Sequence, residues 1–459
     1  METVIKFRKS IMLVLKTLSV SALILSFIGV WHSYYSTATL GAWGDYIVIV
    51  SYLAIFVTLV NLYGGFLIGI NRLHEIIYSQ ALSIIFTNFI MYLEVSLILR
   101  DLLPIPQFLY GILIQIGIMA LCAFCLNTVY FKLYAARKMA AVFDDAESGM
   151  DLIKKMSKMP ERFKIERGIS ANALSIDEIK NIIDGFDAIM VSDLKADVKY
   201  EIMRYCYTKG KRIYVLPSST DVVLSSSYHI QISDTPVLMC KNRGITTEQA
   251  IIKRVFDIVF ALIGIILASP IMLALSIAIK VCDGGPVLFK QNRVTKGGKI
   301  FNVYKFRSMV PDADKDGAVK ARDNDDRITA VGRFMRPVRL DELPQLFNIL
   351  FGSMSFVGPR PERIENVYEY TTKFPDFDLR HRVKGGLTGY AQIYGKYNTS
   401  PEDKLKMDLI YIERYSLLLD LKLLAMTVKI LFMKESTEGF SEKASTSAQI
   451  HTGTEEEEK

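Results

Sequence analysis

The side chains best suited to chemistry fall in residues 339–362. They are Arg339, Asp341 and Glu342 in Arg339-Leu340-Asp341-Glu342-Leu343-Pro344-Gln345-Leu346-Phe347-Asn348-Ile349-Leu350, then Gly358-Pro359-Arg360-Pro361-Glu362. Two adjacent carboxylates stand between arginines. Leu343, Leu346, Phe347 and Leu350 recur at i, i+3, i+4 and i+7, which predicts a short helix buried on one face. On that reading Asp341 is the N-cap and Pro344 lies in the first turn. A helix N-terminus presents unpaired N–H groups and partial positive charge, which suits phosphate. Two carboxylates there repel the ligand unless arginines or a cation compensate. The combination points to phosphoryl transfer with a metal ion. Taken alone, the pattern also fits an ordinary helix that Asp341 caps and whose dipole Glu342 complements.

Upstream, residues 286–294 and 299–306 alternate around Lys296-Gly297-Gly298, a hairpin signal. Lys305 and Arg307 then share one strand face, as phosphate contacts or as a solvated face. Asp312-Ala313-Asp314-Lys315-Asp316-Gly317 matches the start of a calcium loop, but position 12 is Asp323 and no helix precedes it. A solvated acidic loop is the expectation.

The elements that must position these groups include membrane segments. The chain has 459 residues, 51% of them hydrophobic, with net charge +7 and mean hydropathy +0.25. Basic residues beside apolar runs explain the charge without nucleic acid. Five scattered cysteines, including Cys122 and Cys125 inside an apolar run, give no sign of an oxidising compartment or a redox motif. Four stretches, about 11–30, 46–70, 76–99 and 108–131, are each long enough to cross hydrocarbon. Lys6, Arg8 and Lys9 precede the first, and Lys132, Arg137 and Lys138 follow the fourth. The loop from Trp31 to Asp45 has no Lys or Arg, which puts both ends of the bundle in the cytoplasm. The spans carry few ionisable residues, Glu94 among them, so an anchor or docking platform is expected rather than a pore.

From about Met139 to Arg243 the chain turns polar. Residues 188–191 and 212–216 read as buried strands, and 176–184 and 197–209 as the helices between them, giving a small α/β domain with a parallel sheet. The stretch from Ala140 to Gly149 carries one glycine and three acids where a dinucleotide cradle needs close backbone N–H groups, so no nucleotide is expected there.

Val255–Val281 is apolar apart from Asp257 near its start and Lys280 at its end, with Ser269-Pro270 at its centre. A straight helix of that length reaches about 40 Å. Positive charge lies on both sides, one more crossing would put everything downstream outside, and Pro270 removes a helical hydrogen bond that Ser269 can re-satisfy. A helix–break–helix entering and leaving on one face fits all three; a kinked fifth span is the alternative.

Together these stretches resemble the bacterial sugar transferases, the polyprenyl-phosphate hexose-1-phosphate transferases. The likeness is carried by Lys253-Arg254-Val255-Phe256-Asp257, Ser269-Pro270, Gly285-Pro286-Val287-Leu288-Phe289-Lys290-Gln291 and Lys305-Phe306-Arg307-Ser308-Met309. It continues in Leu340-Asp341-Glu342-Leu343-Pro344-Gln345-Leu346, Gly358-Pro359-Arg360-Pro361, Gly386-Leu387-Thr388-Gly389-Tyr390-Ala391-Gln392 and Asp420-Leu421-Lys422-Leu423-Leu424, over about residues 250–433. Gly385 replaces the family's usual proline.

The resemblance implies the large form of the family, a membrane protein of mixed α and α/β class. Its parts would be a four-helix transmembrane bundle (1–138), a Rossmann-like α/β domain (139–245) and a mostly helical catalytic domain with a β-hairpin (246–434). A disordered acidic tail (435–459) would follow. Ser269 and Pro270 would sit at the turn of a re-entrant membrane helix over 255–281. The implied enzyme is a phosphoglycosyl transferase. It would move hexose 1-phosphate from a UDP-sugar to polyprenyl (undecaprenyl) phosphate, releasing UMP, as the first membrane step of capsule, exopolysaccharide or O-antigen synthesis. Asp341 would be the nucleophile that forms an aspartyl sugar-phosphate, Glu342 would hold Mg²⁺, and Lys305, Arg307, Arg339 and Arg360 would bind phosphate oxygens. Expected partners are the UDP-sugar, the polyprenyl phosphate, membrane lipid (with 417–432 as a second surface helix or a core helix) and a second copy in a homodimer. No nucleic acid is expected. The expected location is the bacterial cytoplasmic (inner) membrane, with the catalytic domain on its cytoplasmic face. A catalytically inactive scaffold would be expected to lack the carboxylate pair or its arginines, and both are present; a plain glycosyltransferase would release UDP instead.

Overall fold

The computed structural model describes residues 7–34, 41–102, 104–240, 244–310, 325–395 and 399–431. The acidic loop at 312–317 with Asp323, the tail from 435 and Phe432 lie outside them. The chain divides into two compact units, one ending at Leu216 and the next beginning at Pro217.

In the first unit, α1 (Arg8–Tyr34), α2 (Gly41–Leu62), α3 (Leu73–Leu99) and α4 (Ile105–Leu133) form the bundle. Each is long and apolar enough to cross a membrane by length and composition. The second ends eight residues before the expected Ile70, because Gly64 (φ 73°) and Gly69 (φ 75°) turn the chain where a side chain would be strained. Phe27, Tyr52 and Phe56 fill the bundle core. Gln115 accepts hydrogen bonds there from Tyr52 (2.9 Å) and Asn88 (2.7 Å), tying three helices together through buried polar groups.

The α/β segment comes next as β1 (Arg137–Phe143), α5 (Ala146–Met156), β2 (Phe163–Ser170), α6 (Ile176–Asp184), β3 (Ala188–Ser192), α7 (Ala196–Thr208) and β4 (Arg212–Val215). Its sheet runs β2-β1-β3-β4, all parallel, as the expected βαβ alternation requires. Every residue of β3 is buried, the mark of a central strand covered on both faces. At the strand ends the acids accept hydrogen bonds from neighbouring backbone N–H groups and a serine hydroxyl. Asp145 caps α5 through Ser148 N (2.8 Å), Asp144 accepts from Lys195 N (3.1 Å), and Asp193 accepts from Ser148 Oγ (2.9 Å). These bonds occupy donors a phosphate would need, and the Phe143 ring lies where a Cβ on Gly149 would come within 2.3 Å.

The second unit begins with α8 (Ser219–Ser225) and the hairpin β5 (Tyr228–Ile232)–β6 (Thr235–Met239). These elements precede residue 246, yet α8 packs into the second unit: Val222 lies against Phe377, Leu405 and Leu409. Next come α9 (Thr247–Asp283), β7 (Leu288–Val294) and β8 (Ile300–Phe306). The two strands pair antiparallel from Leu288↔Phe306 to Val294↔Ile300, with Gly297 (φ 68°) and Gly298 (φ 72°) in the turn. After them the chain forms α10 (Ala330–Met335), a 3₁₀ turn at Leu340–Glu342, α11 (Gln345–Phe351), β9 (Ser355–Val357), α12 (Ile364–Lys373) and a second 3₁₀ segment at Pro375–Arg382. The unit closes with β10 (Gly386–Thr388), α13 (Tyr390–Tyr394), α14 (Pro401–Glu413) and α15 (Leu417–Leu431).

Helix α9 is one 37-residue element with Pro270 inside it. Proline cannot donate to the Ile266 carbonyl, and Ser269 Oγ donates to that oxygen instead, at 2.8 Å. Its two halves pack on the same unit. Ala261, Ile265 and Ala268 join Val303, Leu346 and Ile349. Met272, Leu275 and Ile279 join Phe306 and Met335. The opposite stripe, including Val255, Val259, Ile266, Leu273, Ile277 and Val281, is exposed.

Polar residues at the start of α9 fix it in place. Lys253 pairs with the buried Asp420 of α15. Arg254 donates to Ile349 O and Leu350 O, the carbonyls at the C-terminal end of α11. Asp257 accepts from Ser355 Oγ and Phe356 N, each at 3.0 Å. Helix α15 is buried at Asp420 and Leu423 but exposes Leu418 and Leu421, so it has both a core face and an open apolar face.

Candidate active site

The carboxylate pair does not begin a helix as its spacing predicts. Arg339 takes a left-handed backbone (φ 54°), and Leu340–Glu342 form a 3₁₀ turn after it. Helix α11 starts only at Gln345, so Asp341 is not its N-cap. The buried stripe shifts accordingly: Leu346 and Ile349 are buried, Gln345 and Asn348 with them, and Phe347 is 37% exposed. Asn348 explains the shift. Its amide donates to Asn302 O (2.7 Å) and its Oδ1 accepts from Tyr304 N (2.9 Å), locking α11 to β8. Lys305 on that strand is thereby set beside the carboxylates.

Three cations converge on one oxygen. Glu342 Oε1 lies 2.9 Å from Lys305 Nζ, 3.4 Å from Arg360 Nη2 and 3.8 Å from Arg339 Nη1. Burial alone would raise the Glu342 pKa, but Lys305, Arg360 and Arg339 outweigh it and hold the carboxyl well below the usual range. Glu342 in turn raises Arg360. Asp341 differs. Burial, aided by the neighbouring Glu342 charge, raises its pKa against the pull of Lys305, Arg336 and Arg339. Its carboxylate is half-buried and makes no hydrogen bond or ion pair with the described residues. One acid of the pair is neutralised; the other is close to the same cations and uncommitted.

Arg307 lies just past β8 and is buried, with its guanidinium against Gly285. Ser269 and Pro270 are exposed on α9.

A second layer escaped the sequence reading. Arg380 is 2% exposed. It bonds Asp408 through Nε (3.0 Å) and Nη2 (2.7 Å) and donates to the Arg360 carbonyl (2.9 Å). Arg293 donates to Pro361 O (2.9 Å) and stands 4.0 Å from Glu362. Burial, with Arg360 nearby, lowers Arg293 to about 10. These arginines hold the Gly358–Glu362 loop, and so hold Arg360. The sequence signal for them is Glu362, a buried acid one residue beyond the loop's second proline.

Among the described residues no cluster of three or more His, Cys, Asp or Glu side chains is set to hold a metal ion. Mg²⁺ bound with a phosphorylated ligand needs only one or two carboxylates, the phosphates and waters supplying the rest. Adjacent Asp341 and Glu342 fit that donor set.

The family model described as bacterial sugar transferase matches residues 248–434. A UDP-N-acetylgalactosamine-undecaprenyl-phosphate N-acetylgalactosaminephosphotransferase from Aeromonas hydrophila is 44% identical over 183 residues, 39% of this chain and 43% of that protein. A UDP-glucose:undecaprenyl-phosphate glucose-1-phosphate transferase from Klebsiella pneumoniae is 36% identical over 262 residues, 56% of each chain. The chain thus spans about half the length of these two relatives. A putative undecaprenyl-phosphate N-acetylgalactosaminyl 1-phosphate transferase from Bacillus subtilis is 50% identical over 153 residues, 32% of this chain but 86% of that protein. The likeness lies where the carboxylate pair and its cations stand, and the chain belongs to the bacterial sugar transferase family.

Proposed function

We propose that the second unit is a phosphoglycosyl transferase that moves hexose 1-phosphate from a UDP-sugar to undecaprenyl phosphate, as the relatives' names describe for theirs. The observation that carries this reading is the unequal carboxylate pair. Deprotonated Asp341 attacks the phosphorus nearest the sugar; a carboxylate O–P bond forms and UMP leaves with the electrons of the broken P–O bond. An oxygen of the lipid phosphate then attacks the same phosphorus and displaces Asp341, giving a lipid diphosphosugar. Lys305, Arg339 and Arg360 stabilise the charge developing on the phosphoryl oxygens. Glu342 keeps these cations gathered before the substrate arrives, and Arg307 supports the Gly285 turn. Glu342 would hold Mg²⁺, which offsets charge on the diphosphate when bound.

We read α9 as monotopic. Its contact stripe runs from Lys253 to Ile279 on one unit, about 39 Å of helix at 1.5 Å per residue. A helix crossing the bilayer would leave that unit at one end. The exposed apolar stripe then lies in one leaflet and holds the site at headgroup level, on the cytoplasmic face of the bacterial inner membrane. Magnesium dependence, a homodimer and a place at the first membrane step of capsule, exopolysaccharide or O-antigen synthesis belong to the same reading.

Product analysis tests the reaction. Phosphoglycosyl transfer releases UMP, whereas UDP release would make the chain a plain glycosyltransferase. Cysteines placed at Ile245 and Ile300 should label from the same side of intact cells; labelling from opposite sides would restore a fifth span.

A further inference from the structure

The first unit carries a cationic pocket that the proposed reaction does not use. A cavity of about 270 Å³ opens at the basic end of the bundle. Lys9, Met12, Leu13 and Lys16 line it from α1, at i, i+3, i+4 and i+7 and therefore on one face. Ile68, Tyr130 and Tyr134 close it, and its lining holds two lysines and no acid. The Arg8 guanidinium stacks 4.8 Å from the Tyr134 ring at its rim, adding a third cation.

Lys16 stands seven residues, or about 10 Å, farther into the apolar helix than Lys9. A lysine at such depth is costly unless paired. Lys16 Nζ donates to Phe66 O at 2.9 Å and lies 5.9 Å from the Phe66 ring centroid, yet an ammonium carries three donors. Phe66 supplies one acceptor and no countercharge.

We propose that this pocket binds the phosphate headgroup of an anionic membrane lipid. Lys9 and Lys16 grip the phosphate from two depths. Tyr130, whose ring is pressed against the Gly69 backbone, walls the pocket. Met12 and Leu13 meet the first methylenes of the chain, and Leu13 and Val14 are exposed beside the mouth, on the surface the bundle turns to lipid. A soluble phosphate would use the cations but leave that apolar rim unmatched. The lipid seats the bundle at a fixed depth in an anionic leaflet, independently of the carboxylate site.

The test uses the full chain in phosphatidylcholine nanodiscs containing a minor fraction of phosphatidylglycerol, with bound lipid read by native mass spectrometry after detergent release. Wild type should retain phosphatidylglycerol in preference to phosphatidylcholine. Lys9→Gln with Lys16→Gln should weaken that retention about thirtyfold, from the typical worth of two basic side chains near a membrane surface. Lys16→Arg keeps the charge and should keep the lipid. Equal retention of both lipids by wild type, or unchanged retention in the double variant, would overturn the proposal. So would loss of lipid in Lys16→Arg, since packing rather than charge would then be decisive. Displacement of phosphatidylglycerol by millimolar inorganic phosphate would identify a soluble anion as the ligand and overturn it as well.

Discussion

Two regions of this chain place acids at the end of a strand or the start of a helical turn, and they use them in opposite ways. In the α/β segment, Asp144, Asp145 and Asp193 accept hydrogen bonds from nearby backbone and a serine. In the second unit, Glu342 gathers Lys305, Arg339 and Arg360, while Asp341 beside it bonds none of the described residues. An acid that satisfies local backbone stabilises a fold and is chemically spent. An acid kept uncommitted among cations costs stability and remains available to react. The difference lies in what surrounds the carboxylate, not in the residue type.

The comparison breaks most severely at Asp341. Asp341→Asn should lower UMP release at least about 10³-fold, as loss of a nucleophile does, measured as initial rate with UDP-sugar and polyprenyl phosphate. The same change should raise stability by about 1 kcal/mol, read as an upward shift in unfolding midpoint. The sign comes from linkage. A carboxyl whose folded pKa is raised binds its proton more tightly when folded, so its ionisation destabilises the fold as pH rises from the unfolded to the folded pKa and beyond. Asparagine removes that penalty.

Arg380→Met should come next, at about 3–5 kcal/mol of stability in chemical unfolding of the full chain, because Asp408 stays buried without its partner. Lys305→Met should cost about 10²-fold in kcat/KM. It should also move the acid limb of the pH profile upward. That limb reports Asp341, already raised above an ordinary aspartate, and Lys305 is the first cation holding it down. A limb that moves down would detach it from Asp341. Asp145→Ala should be the smallest effect, about 1 kcal/mol in the stability of the α/β segment for a lost cap, with UMP release unchanged. Any substantial loss of turnover there would erase the contrast between the two regions.

The carboxylate pair, Lys305, Arg339 and Arg360 were legible because they lie in two short runs and one strand. The α/β elements were legible because hydrophobic period and turn residues are local signals: strands at 188–192 and 212–215 fall within a residue of expectation. The 3₁₀ turn was not, since nothing local announces a left-handed arginine at 339. Nor was the register of α11, which Asn348 sets by bonding β8, 46 residues away. Arg380 and Asp408 are joined across 28 residues with no periodic mark. Arg307 shows the limit of strand alternation: it stands two residues after Lys305, but β8 ends between them and its guanidinium turns to Gly285.

The central claim is that Asp341 carries the hexose phosphate. The direct measurement mixes the full chain with UDP-sugar and divalent cation in the absence of polyprenyl phosphate, quenches in acid, and maps the peptide spanning residues 339–350 by mass. The account predicts one hexose-phosphate adduct on Asp341 and an equal amount of UMP. An unmodified peptide, with UMP appearing only once the lipid phosphate is added, would contradict it.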